Sequence, residues 1–215
     1  MNVTSYIHML EDELKKNLPG SQIQNKMSPV DRAHIYDPET NPLPPEKAAI
    51  LILLFPCNNS LCTVFIQRTN YPGPHKGQIS FPGGKYDISD ENLSATALRE
   101  TAEELGIATD IIRIIGRLTP LYISVSNFEV SPFVGYLPSV PEFEVEKEEV
   151  QLAITEQLNS LQNPDLIGEL QIKREKDTIL APCYVVQGYK IWGATAMMLR
   201  EFLEVVKNAE INSEQ

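Results

Sequence analysis

Cysteine is scarce. Cys57, Cys62 and Cys183 are the only three, and no pair has metal-ligand spacing. All three are expected as buried free thiols. Positive charge is also short, with 18 Lys and Arg against 29 Asp and Glu and a net charge of -11. That balance argues against a nucleic-acid backbone or an anionic membrane as the main partner. An anionic substrate would have to be met by metal ions and a few local cations. No apolar run approaches the roughly 20 residues that span a bilayer; the most apolar stretch is Ala48 to Phe55. The opening MNVTSYIHMLEDELKK is too polar for a signal peptide. A cytoplasmic location is therefore expected. Internal repeats and low-complexity tracts are lacking too.

What is present is an ordinary globular composition, 42% hydrophobic and 22% charged over 215 residues, enough for one sizeable core. Residues 5–17 read as a short helix, with Tyr6, Met9, Leu10 and Leu14 near helical spacing. Residues 21–45, punctuated by five prolines, read as an extended arm. Lys47–Phe55 is apolar throughout and of strand length, which suits a central buried strand. Leu61–Arg68 alternates and is expected to pair with it as a hairpin across the turn at 56–60. Further strands are expected at 111–118, 130–137, 169–173 and 180–186, with KREKD (173–177) as an exposed turn. A short helix and loop are expected at 151–167, and a closing helix from Ile191 to about Val206. The chain divides as an N-terminal helix and arm (1–45), a main domain (46–207) and a tail (208–215).

The chemistry concentrates in Gly83–Ile107, GGKYDISDENLSATALRETAEELGI. Helical spacing puts Glu100, Glu103 and Glu104 on one face. Ala95, Leu98, Ala102 and Leu105 then face the core, with Thr101 at the edge. Three carboxylates so close repel one another. Arg99, four residues before Glu103, offsets part of that, and a hard divalent cation would offset the rest. A solvated acidic face is the plainer alternative. Gly83 and Gly84 let the backbone come close to a metal or phosphate. Arg68, at a strand end, suits phosphate oxygens through its planar fork. His75 reads as a surface loop residue.

This stretch resembles the Nudix box. Five residues lead from Gly84 to Asp90, where the family usually has Glu, and eight rather than seven lead on to Arg99-Glu100-Thr101-Ala102-Glu103-Glu104-Leu105-Gly106-Ile107. Both departures resemble the coenzyme A pyrophosphatase branch, as do Gly77–Gly84 and the Trp192–Ala196 start of the closing helix. That branch usually carries an Arg where this chain has Gly73.

The resemblance implies a Nudix-like α/β/α sandwich with a mixed central sheet. It implies hydrolysis of a pyrophosphate bond with Mg²⁺ or Mn²⁺, held by Glu100, Glu103, Glu104 and the Gly83 carbonyl. Glu103 either joins the metal shell or activates water, and Arg99 orients the glutamates. Arg68, Gly84 and Lys85 are expected to meet the substrate. Glu148 or Glu149 would serve as an outer-shell group or base. Tyr122 and Phe128 line the substrate side or pack in the core. The expected partner is a small nucleotide, coenzyme A or an acyl form first. ADP-ribose, a dinucleotide or a nucleoside triphosphate is the alternative, and a non-catalytic nucleotide-binding module is a third reading. Self-association is left open.

Overall fold

The computed structural model describes residues 2–29, 36–39, 41–58, 60–69, 75–173 and 178–213. Among these the order is α1 (Val3–Leu14), α2 (Ser21–Gln24), β1 (Glu46–Cys57), β2 (Ser60–Arg68), β3 (Ile79–Ser80), β4 (Gly83–Lys85), α3 (Leu93–Leu105), β5 (Arg113–Arg117), β6 (Leu121–Ile123), β7 (Phe128–Tyr136), β8 (Val150–Gln157), α4 (Leu158–Leu161), β9 (Ile167–Lys173), β10 (Thr178–Val186), β11 (Tyr189–Trp192) and α5 (Gly193–Ser213).

Strand β1 explains the layering. Its side chains alternate across the sheet. Ala48, Ile50, Ile52 and Leu54 join one core with Ile7, Leu10 and Leu14 of α1 and Met197, Leu199 and Phe202 of α5. Ala49, Leu51, Leu53 and Phe55 join a second core with Ala97 and Leu105 of α3. An apolar run with no alternation is thus a strand buried on both faces. It pairs antiparallel with β2 as the expected hairpin, and parallel with β7, so the sheet is mixed. The fold is a mixed α and β sandwich, with helices on both faces of that sheet. A separate antiparallel sheet, β9 to β11, leads into α5.

Several expectations are corrected. Residues 150–157 form β8, paired antiparallel with β2, not a helix. Helix α5 starts at Gly193, after β11, and runs to Ser213, beyond Val206. The first helix spans 3–14 rather than 5–17. The arm is partly helical: α2 and a 3₁₀ turn at 25–27 bury Gln24 and Met27. Cys57 and Cys62 form a disulfide across the β1–β2 turn, while Cys183 is free and buried. Gly73 and residues 174–177 of the KREKD turn lie outside the described residues.

Glu201 of α5, fully buried, ties the arm to the domain. It accepts from Gly20 N (3.0 Å), Gln24 Nε2 (2.7 Å), Thr119 Oγ1 (2.6 Å) and, at 3.3 to 3.4 Å, Thr119 N.

Candidate active site

The site forms where β4 meets α3. Strand β4 pairs with β1 through Ile50 opposite Gly83 and Ala49 opposite Gly84. Gly83 has φ of 145°, and a Cβ there would run into the backbone of Ala49 and Ile50. Only glycine lets β4 lie this close to β1. Helix α3 follows, started by Asn92, whose Oδ1 accepts from Ser94 N (2.9 Å) and Ala95 N (3.1 Å). Gly106, with φ of 71°, ends it in the left-handed conformation.

The glutamates of α3 do not share one environment. Their side chains are 1% (Glu104), 15% (Glu100) and 58% (Glu103) exposed. Thr96, Ala97, Thr101, Glu104 and Leu105 are the buried residues of the helix. Glu104 therefore stands on the core side, contrary to a common acidic face. Ala95, Leu98 and Ala102 are only half-buried, and Thr101, expected at the edge, is fully buried with its hydroxyl donating to Ala97 O at 2.7 Å.

Arg99 braces the outer part of this fan. Its Nε and Nη2 donate to Asp90 at 2.8 and 3.0 Å, and its Nη1 donates to Glu100 and Glu103 at 2.9 Å. Nη2 also reaches Lys85 O at 3.2 Å. Asp90 further accepts from Asp87 N and Thr96 Oγ1, so it ties the loop to the helix and does not cap it. The Arg99 guanidinium, with these two donors, holds the Asp90 carboxyl well below the usual range. A depressed pKa contributes stability above the ordinary aspartate value and loses it as pH falls through the folded value. Asp90→Asn is expected to cost about 2 kcal/mol at pH 7, a gap that begins to narrow below about pH 4 and closes only through the lower folded-state value. Urea unfolding of both proteins at pH 7 and pH 3 measures it.

Glu104 Oε2 accepts from Gly83 N at 2.8 Å, and Oε1 receives Arg68 Nη1 at 3.4 Å. Burial pushes its pKa up to about 8 against those two contacts, and the charges of Glu100 and Glu149 push the same way. Burial also raises Glu100, with Arg99 opposing. Two desolvated carboxylates, Glu104 disfavoured by the charge of Glu100 and both by that of Glu149, form an all-oxygen donor pair for a hard divalent cation. Among the described residues no three His, Cys, Asp or Glu side chains are gathered to hold a metal. The donor chemistry fits such an ion; Arg99 holds Glu100 and Glu103.

A cavity of about 390 Å³ opens beside Gly83 and Gly84, with Arg68, His75 and Lys85 on its wall. His75 is half-buried, its Nδ1 at 3.1 Å from Gln78 Oε1, so it belongs to this wall and not to an open loop. Lys85 points its Nζ at Glu46 (2.7 Å). Phe128 reaches the cavity, whereas Tyr122 is buried and hydrogen-bonded through its hydroxyl to Asn127 and Asn41. The acidic loop runs along the end of α3, with Glu146 N donating to Glu104 O at 3.1 Å. This brings Glu149 close enough to act on Glu100 and Glu104. The Glu148 carbonyl is held by Thr69 Oγ1 at 2.8 Å. Residues missed by sequence reasoning are Gln78, Ser80, Ser126, Trp192, Thr195 and Met198, which also line the cavity. The Gly77–Gly84 resemblance covered Gln78 and Ser80, and the Trp192–Ala196 resemblance covered Trp192 and Thr195, without giving any of them a role.

A glycine strand, a carboxylate helix and a cation-bearing cavity on a mixed sheet make up the layout of a phosphoanhydride hydrolase. The NUDIX domain family matches residues 45–171. The uncharacterized Nudix hydrolase NudL of Yersinia pestis (strain Pestoides F) is 32% identical over 160 residues, 74% of this chain and 79% of that protein. The NudL of Yersinia pseudotuberculosis serotype O:3 (strain YPIII) is similar to the same extent. Among solved structures, the MutT protein of Methanosarcina mazei Go1 aligns with a TM-score of 0.48 at 14% identity, covering 80% of this chain and 97% of that one. The NUDIX domain of Shewanella oneidensis NrtR complexed with ADP ribose aligns with a TM-score of 0.44 at 23% identity, covering 60% and 83%. The chain belongs to the Nudix hydrolase family, pyrophosphohydrolases that act on small nucleotide substrates and generally use divalent metal ions. No described helix is long and apolar enough to cross a membrane.

Proposed function

We propose that the chain hydrolyses the pyrophosphate bond of coenzyme A or an acyl-coenzyme A, giving 3′,5′-ADP and the (acyl-)phosphopantetheine. The observation that carries this reading is the burial gradient from Glu104 to Glu103 behind Gly83 and Gly84, at the wall of a cavity bearing cations. Glu100, Glu104 and the Gly83 carbonyl would hold Mg²⁺ or Mn²⁺, with Glu103 beside them. The bound metal supplies charge neutralisation and a more acidic water. Glu103, the most exposed of the three, takes a proton from water, and general-base help of this kind contributes about 10²–10⁴-fold. Glu149 is the alternative base or outer-shell group, with Glu148 behind it. Arg99 keeps Glu100 and Glu103 in place, and Arg68, Lys85 and the Gly84 backbone meet phosphate oxygens. The hydrolase domain is built on residues 46–207, with α1 and the end of α5 packed onto the same core, and the setting is cytoplasmic.

Gly84→Ala separates this role from folding. A Cβ there would press on the Glu100 carboxylate, a side-chain end that can yield, whereas at Gly83 it would meet backbone. We expect Gly84→Ala to remain folded while turnover falls by about a hundredfold, because a misplacement of about 1 Å costs that much. Steady-state rates and a melting curve on the same preparation test it.

The substrate is tested by incubating the protein with Mg²⁺ or Mn²⁺ and coenzyme A, acetyl-coenzyme A, ADP-ribose, NADH, diadenosine polyphosphates and nucleoside triphosphates, reading products by mass. Release of 3′,5′-ADP from coenzyme A is the expected result. Preferential cleavage of ADP-ribose or a triphosphate would overturn the substrate, and binding without cleavage would overturn the activity.

A further inference from the structure

The cavity beside Gly83 and Gly84 has a second polar end, built by residues beyond 171, where the match to the NUDIX domain stops. Gly193, Ala194 and Thr195, the first residues of α5, line it. The opening N–H groups of a helix have no partner within it, and this end carries the positive pole of a 21-residue helix. No acidic residue stands in its first turn. Thr195 is 8% exposed and lines the cavity, yet among the described residues its hydroxyl has no hydrogen-bond partner. Two further hydroxyls on the same cavity, Ser80 Oγ and Ser126 Oγ, are buried without partners. Buried polar side chains are ordinarily paired, so the unpaired Thr195 hydroxyl on this wall, with two more unpaired hydroxyls in residues around the same cavity, points to a ligand with acceptor oxygens.

We propose that the α5 N-terminus and the Thr195 hydroxyl form a subsite for a phosphate monoester carried by the substrate in addition to its pyrophosphate. Helix N-termini bind such groups through backbone N–H donors and the helix dipole together. Arg68, Lys85 and the α3 carboxylates serve the pyrophosphate, while α5 selects for the extra phosphate. The C-terminal unit, β9 to α5, then sets substrate choice on a domain whose catalytic parts lie elsewhere. This rests on the coenzyme A reading above, since that substrate carries such a phosphate, but it is tested separately.

Calorimetry compares adenosine 3′,5′-bisphosphate with adenosine 5′-monophosphate on the native chain, Thr195→Val and Thr195→Asp. The bisphosphate is expected to bind the native chain at least tenfold tighter. That ratio should fall about threefold in Thr195→Val and vanish in Thr195→Asp, which sets a negative charge against the phosphate. Asp suits the first turn of a helix, so the fold should hold; if it does not, Thr195→Val decides. Equal affinity of the two nucleotides, no binding of either, or an unchanged ratio in the folded variants overturns the subsite. In turnover, Thr195→Val should raise KM for coenzyme A and leave KM for dephospho-coenzyme A and both kcat values unchanged. Failure of the native protein to cleave coenzyme A sinks the substrate reading alone, because the binding ratio needs no turnover.

Discussion

Glu104→Gln is expected to lower metal-dependent hydrolysis by at least a hundredfold while leaving the fold intact. Changes in groups that merely orient metal ligands cost 10- to 100-fold, so loss of a ligand itself should exceed that. Gln keeps the shape of Glu104 and can still accept from Gly83 N. The charge change also has a sign that can be checked without substrate. The Glu104 pKa is raised to about 8, so in metal-free protein its contribution to stability is full below the ordinary glutamate value and is lost as pH rises through about 8. Gln never ionises. In the presence of a chelator the variant should therefore melt higher than the native protein at pH 9 and close to it at pH 4. Unchanged turnover, or a variant less stable than native at pH 9, would contradict the place given to Glu104.

Glu201→Ala should cost about 3–5 kcal/mol, because it leaves several buried donors unsatisfied at about 1–3 kcal/mol each. Removing the carboxylate leaves Gly20 N, Gln24 Nε2 and Thr119 N without their acceptor inside the protein. For a chain of this size the melting temperature should drop on the order of 10 °C. Because Glu201 joins the 20–24 segment to α5, hydrogen exchange should quicken first at those residues. A shift below about 2 °C would mean that the arm is held by Ile7, Leu10 and Met27 alone, which share the core with α5.

The central hairpin and the catalytic helix were legible because each carries a strong local signal. β1 is apolar for the length of a strand, and α3 has its box and its terminating Gly106, although its cap, Asn92, was not read. Strand β8 was not legible. VQLAITEQ is rich in residues that also favour helices, and it became a strand by pairing with β2, a contact between residues far apart in sequence. The Glu104 environment was misread for a related reason. Spacing along α3 groups Glu100, Glu103 and Glu104, but which side of that group turns inward is set by how α3 lies on β1 and β4. The Cys57–Cys62 pairing follows from the register of the β1–β2 hairpin, which brings the two Cα atoms to 5.8 Å, and residue spacing alone does not specify it. The α5 side of the cavity had no periodic signature at all. Trp192, Thr195 and Met198 line one cavity with Gly83 only because the second sheet folds back against the first.

The most direct test of the account is a calorimetric titration of Mn²⁺ into the native protein and into Glu104→Gln at pH 8. The account predicts saturable binding to the native chain and at least tenfold weaker binding to the variant, with both proteins folded by circular dichroism. Identical isotherms, or no saturable binding to the native chain, would show that the α3 carboxylates are not the metal site.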